Sequence, residues 1–422
     1  ENHLRKNNYD VVGVAMLTSM YSQSLQVCKV AKKVNKNIKV IVGGSHASVR
    51  PIETLEENKG FIDVVTIGEA EVTFLNILNA LEKNISLSTV RGVVFRENEM
   101  TIKTEPLPKI QDLDFFPIPD RSLINMKLYR PSVSYYKRLP AYTMITTRGC
   151  PYRCTFCATA NTGYRMHSVQ RVVEEMRILV EKYGAREILF RDDTFTLSKK
   201  RTIDLCDEII KENLNKKVKW DCITRAGLVD FELLKKIKEA GCWGIHFGVE
   251  GGTQKLIDTI KKDATLDQIR NAFKWAREVG LETRGYFMLG LPGANKDDDF
   301  ATINFAKELD PDWAQFTITV PYPGTQLYKE ARNFGNLTST SADWDNYQTW
   351  GGFSVEGELP WVTKGRSSKE LKDLQRKALR EFYFRPKVVW RKITHVDNWA
   401  ILRKYALGAI ALMAGGSGRA PE

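Results

Sequence analysis

The sequence predicts an α/β fold. An incomplete, doubly wound parallel sheet over residues 1–105 is followed by a partial (β/α) parallel barrel over 141–330 and a mostly helical region over 331–422. Three observations predict it. Short runs rich in Val and Ile alternate with segments of helical spacing in both halves, the pattern of strand–helix–strand crossovers and so of parallel sheets. A Pro-rich stretch within 106–140 reads as an extended linker between the halves. Beyond residue 330 the alternation stops.

In the first half, Tyr9 to Leu17 reads as a buried strand, and Ser22 to Lys36 has helical spacing with Leu25, Cys28, Ala31 and Val34 on its apolar side. Ile38 to Val42 is a second strand, closed by Gly43-Gly44. Pro51 to Glu57 reads as a short helix with Pro in its opening turn. Asp63 to Gly68 is a third strand, and Glu71 to Leu81 an amphipathic helix. Val90 to Thr104 reads as a β-hairpin around Glu97-Asn98-Glu99. Ligands of open α/β sheets bind beyond the C-terminal strand ends. Gly43, Gly44 and His46 sit at one such end, Gly68 and Glu69 at another. The chain starts at Glu1 and reaches a strand almost at once, so the first strands of this sheet are expected to be missing.

In the second half the strand candidates are 142–146, 187–190, 218–223, 244–249, 283–289 and 313–320. Helical segments lie between them at 169–183, 200–212, 231–240, 266–279 and 298–309. Chemistry in such barrels gathers at the C-terminal mouth.

The first strand of that barrel runs directly into Thr147-Arg148-Gly149-Cys150-Pro151-Tyr152-Arg153-Cys154-Thr155-Phe156-Cys157. Three thiols this close can converge on one soft metal centre. A closed zinc site wants four ligands, and the gap to His167 is unlike common zinc spacings. Free cysteines are often small buried hydrophobes; Cys28, Cys206, Cys222 and Cys242, scattered singly, read that way.

The CxxxCxxC spacing, with Phe156 before the last Cys, resembles the cluster motif of the radical S-adenosylmethionine (SAM) enzymes. The resemblance implies a [4Fe-4S] cluster held by Cys150, Cys154 and Cys157, with the open iron chelating the amino and carboxylate groups of SAM. It implies reductive cleavage of SAM to methionine and a 5′-deoxyadenosyl radical, which abstracts hydrogen from an unreactive carbon. The cofactor carries such chemistry while the protein orients and excludes water. The segments after the later strands resemble, in order, the SAM-binding elements of that core. Asp192 and Asp193 would accept hydrogen bonds from the SAM ammonium, or else cap a helix. Arg225 would pair with its carboxylate, and Glu250 would accept the ribose hydroxyls. The glycine-rich turn at Gly290 would admit the adenine.

A second resemblance lies upstream. Asp10 to Val14, Gly43-Gly44-Ser45-His46, Pro51, and Asp63 through Gly68-Glu69-Ala70-Glu71 resemble the later half of a Rossmann-like cobalamin-binding domain. That domain precedes the radical SAM core in one large subclass, which includes the anaerobic magnesium-protoporphyrin IX monomethyl ester cyclase and hopanoid methylases. Gly43, Gly44, His46, Gly68 and Glu69 are then expected to bind cobalamin. The Asp-x-His-x-x-Gly motif, whose His ligates cobalt in some members, is absent; His3 does not belong to one.

Together these imply methyl transfer to an unactivated carbon of a small or lipid-like substrate, with an electron donor such as flavodoxin or ferredoxin. The alternatives are an oxidative cyclase and a noncatalytic corrinoid or metal-binding module. A methylthiotransferase would need three more cysteines upstream, where only Cys28 is found.

Lys and Arg exceed Asp and Glu to give a formal charge of +12. Between Lys364 and Lys392 eleven basic residues face three acidic ones. Ser367 to Val389 reads as a basic helix interrupted at Pro386, and Trp399 to Ala414 as a second helix, apolar from Tyr405. This pair suits a core-docked helix with a solvated face, the preferred reading, or an anionic membrane surface. The aromatic group Trp344, Tyr347, Trp350, Phe353 and Trp361 is expected to be packing rather than a lid. Without an RNA-binding module, nucleic acid is not an expected partner. No apolar run reaches the roughly 20 residues of a membrane span, and the unpaired cysteine pattern suits a reducing compartment. The expected location is cytoplasmic, or peripheral at the inner membrane surface if the basic helix meets lipid.

Overall fold

The computed structural model describes residues 1–337, 344–347 and 358–394. The first sheet contains β1 (Val11–Ala15), β2 (Lys39–Gly43), β3 (Val64–Thr66), β4 (Val93–Glu97) and β5 (Met100–Lys103), side by side in that order. β1 to β3 are parallel; β4 and β5 add an antiparallel hairpin. Helices cover both faces. Val40, Val42 and Val65 pack with Cys28 and Ala31 of the helix Tyr21–Val34 and with Leu55. On the other face Ile41, Val64 and Val93 pack with Ile77 and Ala80 of the helix Ala70–Glu82. Burial on both faces is why these strands read as continuous apolar runs instead of alternating.

The second half begins with β6 (Ala141–Met144). A small antiparallel pair follows, β7 (Thr147–Arg148) with β8 (Arg165–Met166). Then come β9 (Glu187–Phe190), β10 (Lys219–Arg225), β11 (Cys242–Glu250), β12 (Glu282–Leu289) and β13 (Trp313–Ile318). The six main strands pair in parallel in the order β13-β12-β11-β10-β9-β6, a curled half-barrel with β6 and β13 as its edges. Their outward side chains, among them Phe190, Trp220, Ile245, Phe247 and Phe287, form the main core with the surrounding helices. The helices start where sequence chemistry says they should. Ser168, Ser198, Asp230, Thr265 and Asn295 each cap one with a side-chain oxygen.

The linker is a series of single 3₁₀ turns opened by Asp112, Asp120 and Asn125 side chains. Beyond residue 330, β14 (Gly335–Leu337) and β15 (Trp361–Thr363) add a short antiparallel pair. The basic helix divides as expected at Pro386, into Ser368–Tyr383 and Pro386–Thr394. The first docks on β13: Leu374, Ala378 and Phe382 join the main core, and Gln375 donates to the Phe316 carbonyl at 2.7 Å. Part of the basic charge is paired within the chain, since Arg385, Lys387 and Arg391 converge on Asp310. Trp344, Tyr347 and Trp361 are buried packing residues. Trp350, Phe353, the apolar segment 399–414 and the glycine-rich 415–418 lie outside the described residues. Among the described residues no helix is long and apolar enough to cross a membrane.

Candidate active site

The three cysteines sit on one loop, residues 149–164, held at its base by the β7–β8 pair. Asp192, at the end of β9, anchors that base. Its carboxylate accepts the Thr146 and Thr147 backbone N–H groups at 2.7 and 2.5 Å, and both hydroxyls at 3.0 and 2.8 Å. Gly149 turns the chain into the loop with φ near +85°; a Cβ there would meet the Gly163 carbonyl oxygen at 2.6 Å, so only glycine closes it. Farther along, the Thr155 N–H donates to the Ile260 carbonyl and the Leu327 N–H to the Thr155 carbonyl, fastening the loop to the barrel mouth.

Cys150 and Cys154 are buried and Cys157 is half-buried. Burial pushes the Cys157 thiol up, opposed by a hydrogen-bond contact with Thr159 at 3.2 Å. Among the described residues no three Cys, His, Asp or Glu side chains are close enough to hold a single metal ion. A four-iron cluster is a larger object whose thiolates each bind their own iron, so the two statements are compatible. Nor do the described residues gather His167 with the cysteines into a zinc site; His167 Nδ1 is 2.9 Å from the Asp114 carboxylate.

Arg225, the last residue of β10, donates to Cys154 Sγ at 3.3 Å and stacks 3.6 Å over the Tyr152 ring. Its Nη2 is buried without a partner. An orphaned guanidinium N–H on the side chain that meets the Cys154 thiol fits an anionic group, because such a donor is costly to leave unmade. The residues present therefore fit an iron–sulfur cluster with an anion-bearing ligand beside it.

Asp193 also faces this loop, interacting with Thr159 and the Gly149 N–H, and burial pushes its carboxyl up. Glu250 ends β11 at a register shift, with φ near +68°. Its Oε1 is 3.1 Å from Lys262 Nζ, both largely buried. A Cβ on Gly248 would lie 2.5 Å from that oxygen, so glycine makes room for the turned-in carboxylate.

The other predicted positions are placed differently. All the Asp192 hydrogen bonds described go to the loop base, which it braces. A Cβ on Gly290 would meet Leu371 at 3.1 Å, and one on Gly285 the Phe287 ring. In the first sheet a Cβ on Gly43 would meet the Thr66 hydroxyl at 2.5 Å, and one on Gly44 the Met16 backbone at 2.8 Å. Both are needed for close approach of neighbouring chain. His46 is buried, hydrogen-bonded to the Thr18 hydroxyl at 3.0 Å and packed edge-on against Tyr21 and Trp344. Burial and the Arg50 charge bring its pKa down to about 4. Gly68, with φ near +81°, has open space beside it, while Glu69 reaches Arg148 and Arg165.

Sequence reading missed the polar inner face of the half-barrel. Buried Asp221 accepts from Arg191 at 2.8 and 3.2 Å and lies 3.2 Å from His246 Nε2. His246 Nδ1 is 3.0 Å from the Tyr286 hydroxyl. The signal was a polar residue at alternate positions of otherwise apolar strands, as in Lys219-Trp220-Asp221 and Arg284-Gly285-Tyr286. A cavity of about 630 Å³ opens beside the cysteine loop, between the linker and β6, and is lined by Phe116, Pro117, Ile145, Gly149, Arg191 and Asp193 among others.

Comparison with known proteins agrees with this geometry. Residues 144–306 match the Radical SAM superfamily and residues 1–78 the B12 binding domain. A protein of Pyrococcus horikoshii named as an uncharacterized methyltransferase, PH0819, is 36% identical over 403 residues, covering 95% of this chain and 84% of that protein. The anaerobic magnesium-protoporphyrin IX monomethyl ester cyclase of Cereibacter sphaeroides is 32% identical over 339 residues; the match covers 78% of this chain and 54% of the cyclase. Among solved structures, the radical SAM methyltransferase TsrM of Kitasatospora setae, with cobalamin and a [4Fe-4S] cluster bound, superposes with a TM-score of 0.65 at 18% identity. That match covers 79% of this chain and 68% of TsrM.

Proposed function

The chain belongs to the radical SAM enzymes that carry a B12-binding domain, and from that premise we propose that it transfers a methyl group to an unactivated carbon of a small or lipid-like substrate. The carrying observation is the cysteine loop at the mouth of the half-barrel, with the orphaned Arg225 donor beside Cys154 and the Gly68–Glu69 turn of the first sheet against its base.

The cofactors are a [4Fe-4S] cluster, SAM and cobalamin, which when bound supply one-electron cleavage chemistry and a methyl group. In this reading Cys150, Cys154 and Cys157 hold the cluster. Arg225 offers two N–H donors to a carboxylate, Asp193 accepts from an ammonium, and Glu250 accepts from hydroxyls. Gly68 leaves open space at the strand end where the corrinoid would approach. The polar inner face, with Tyr286 held by His246, offers hydrogen bonds to a substrate in the lumen. The linker lies against that face, with Tyr135 next to His246 and Arg284.

Oxidative cyclisation is the second reading, favoured by the 32% identity with the cyclase. Methyl transfer is preferred because the match to the methyltransferase-named relative spans far more of both chains. An electron donor of the flavodoxin or ferredoxin type belongs to either reading.

The test is anaerobic reconstitution with iron and sulfide, followed by dithionite and SAM, with and without methylcobalamin. Formation of 5′-deoxyadenosine, abolished by Cys154→Ala, is the expected result. No nucleoside from a chain with a verified cluster would leave a noncatalytic binding module as the better reading.

A further inference from the structure

The hairpin that brackets the cysteine loop carries an arginine on each strand. Arg148 of β7 and Arg165 of β8 are direct register partners, one residue before the loop and one after it. Both reach the same carboxylate. Glu69 Oε2 lies 2.9 Å from Arg148 Nη1 and 3.1 Å from Arg165 Nη1, and Oε1 pairs with Arg165 Nη2. Glu69 stands at the N-cap of the helix Ala70–Glu82, yet makes no side-chain cap bond to it. Its carboxylate is used entirely across the boundary between the two sheets.

Each end of this clamp leads to a proposed cofactor position. Glu69 follows Gly68, the turn at the end of β3. Arg148 is two residues before Cys150, and the Thr147 beside it is fixed by Asp192. Arg165 is 7% exposed, and its other acceptor is the Ile110 carbonyl at 2.7 Å. Without Glu69 it would be a buried cation with one neutral acceptor, an arrangement that is strongly unfavourable. Arg148 has a second partner in Glu71 at 2.6 Å, and Lys109 bonds the Thr162 carbonyl at 2.7 Å. These secondary contacts touch only one strand of the hairpin or the loop itself, whereas Glu69 ties both strands to the Gly68 turn.

We propose that Glu69 couples the two cofactor sites: its clamp on Arg148 and Arg165 joins the Gly68 turn and the base of the cysteine loop into one cooperative unit, so that an ordered, cluster-loaded loop strengthens cobalamin binding. The proposal rests on the cofactor assignment above. The two states are the closed clamp described here and an open one in which the hairpin spreads, and a cluster on residues 149–164 would favour the closed one. Coupling between sites is reciprocal and is typically 5- to 150-fold in affinity.

Hydroxocobalamin titration, followed by absorbance, tests this on the apo chain and on the anaerobically reconstituted chain. The wild type is expected to bind at least about fivefold more tightly with the cluster than without it. In Glu69→Gln that ratio should fall toward one while iron content stays at the wild-type level. Arg148→Gln, at a partly exposed position, is the second variant should Glu69→Gln fail to fold. Hydrogen exchange of residues 149–164 should rise in either variant. A wild-type ratio near one, or a variant ratio equal to the wild-type ratio, overturns the coupling. The second result includes the case in which Glu69 merely touches cobalamin, since that would weaken both titrations equally. Failure of the wild type to bind cobalamin in either form would remove the cofactor assignment instead.

Discussion

Arg225 Nη1 lies 3.3 Å from Cys154 Sγ while its guanidinium carbon sits 3.6 Å from the centre of the Tyr152 ring. Residues 152 and 154 thus hold a cation from the third main strand of the half-barrel against the cysteine loop, and its buried Nη2 waits for an acceptor. Lysine cannot reproduce a planar, bidentate donor stacked on an aromatic ring. Arg225→Lys should therefore load iron normally but bind SAM roughly 10- to 100-fold more weakly, the value of a charged hydrogen bond of about 1.5–3 kcal/mol. Iron and sulfide assays with equilibrium dialysis of SAM check both halves.

Glu250 is expected to contact the SAM hydroxyls while its Oε1 engages Lys262. Alanine would strand a buried cation, so Glu250→Gln is the cleaner probe. Iron content should be retained and SAM affinity should fall about tenfold, roughly one hydrogen bond to a charged group. Unchanged affinity would remove the ribose role.

Asp192 and Asp193 are neighbours with separate duties. Asp192→Ala leaves two buried backbone N–H groups and two hydroxyls without their acceptor. It should cost about 3 kcal/mol or more of stability, read as a lower urea midpoint. Asp193→Asn should leave the midpoint almost unchanged and act on SAM binding instead.

Glu187, at the start of β9, accepts the Lys137 and Arg138 backbone N–H groups at 2.9 and 2.8 Å. Burial pushes its pKa up to about 7 from 4.5, against the pull of those donors. The folded state then holds this proton more tightly than the unfolded chain. Its contribution to stability is fully present below pH 4.5 and is lost as pH rises through about 7. The size is about 3 kcal/mol. Glu187→Gln cannot titrate, so its stability relative to wild type should rise by that amount between pH 4.5 and 8. Urea unfolding across this range would show a constant difference if the shift were absent.

The alternation of strands and helices, the half-barrel and the cysteine loop at its mouth could be read from the chain alone. They rest on local signals: apolar runs such as Lys39–Gly43, caps such as Ser168 and Thr265, and three cysteines within eight residues. The roles of individual polar residues could not, because they depend on partners distant in sequence. Nothing local separates Asp192 from Asp193; one supports Thr146 and Thr147, 45 residues away or more, and the other faces the loop. That Gly43 and Gly44 must be glycine to admit Thr66 and the Met16 backbone is seen only once the strands pack. Glu69 looks like a residue of the first sheet alone until Arg148 and Arg165 arrive from the second. Backbone periodicity and covalent spacing are properties of the chain itself. Which carboxylate meets which cation is settled only when tertiary packing brings strand ends together and removes water from between them.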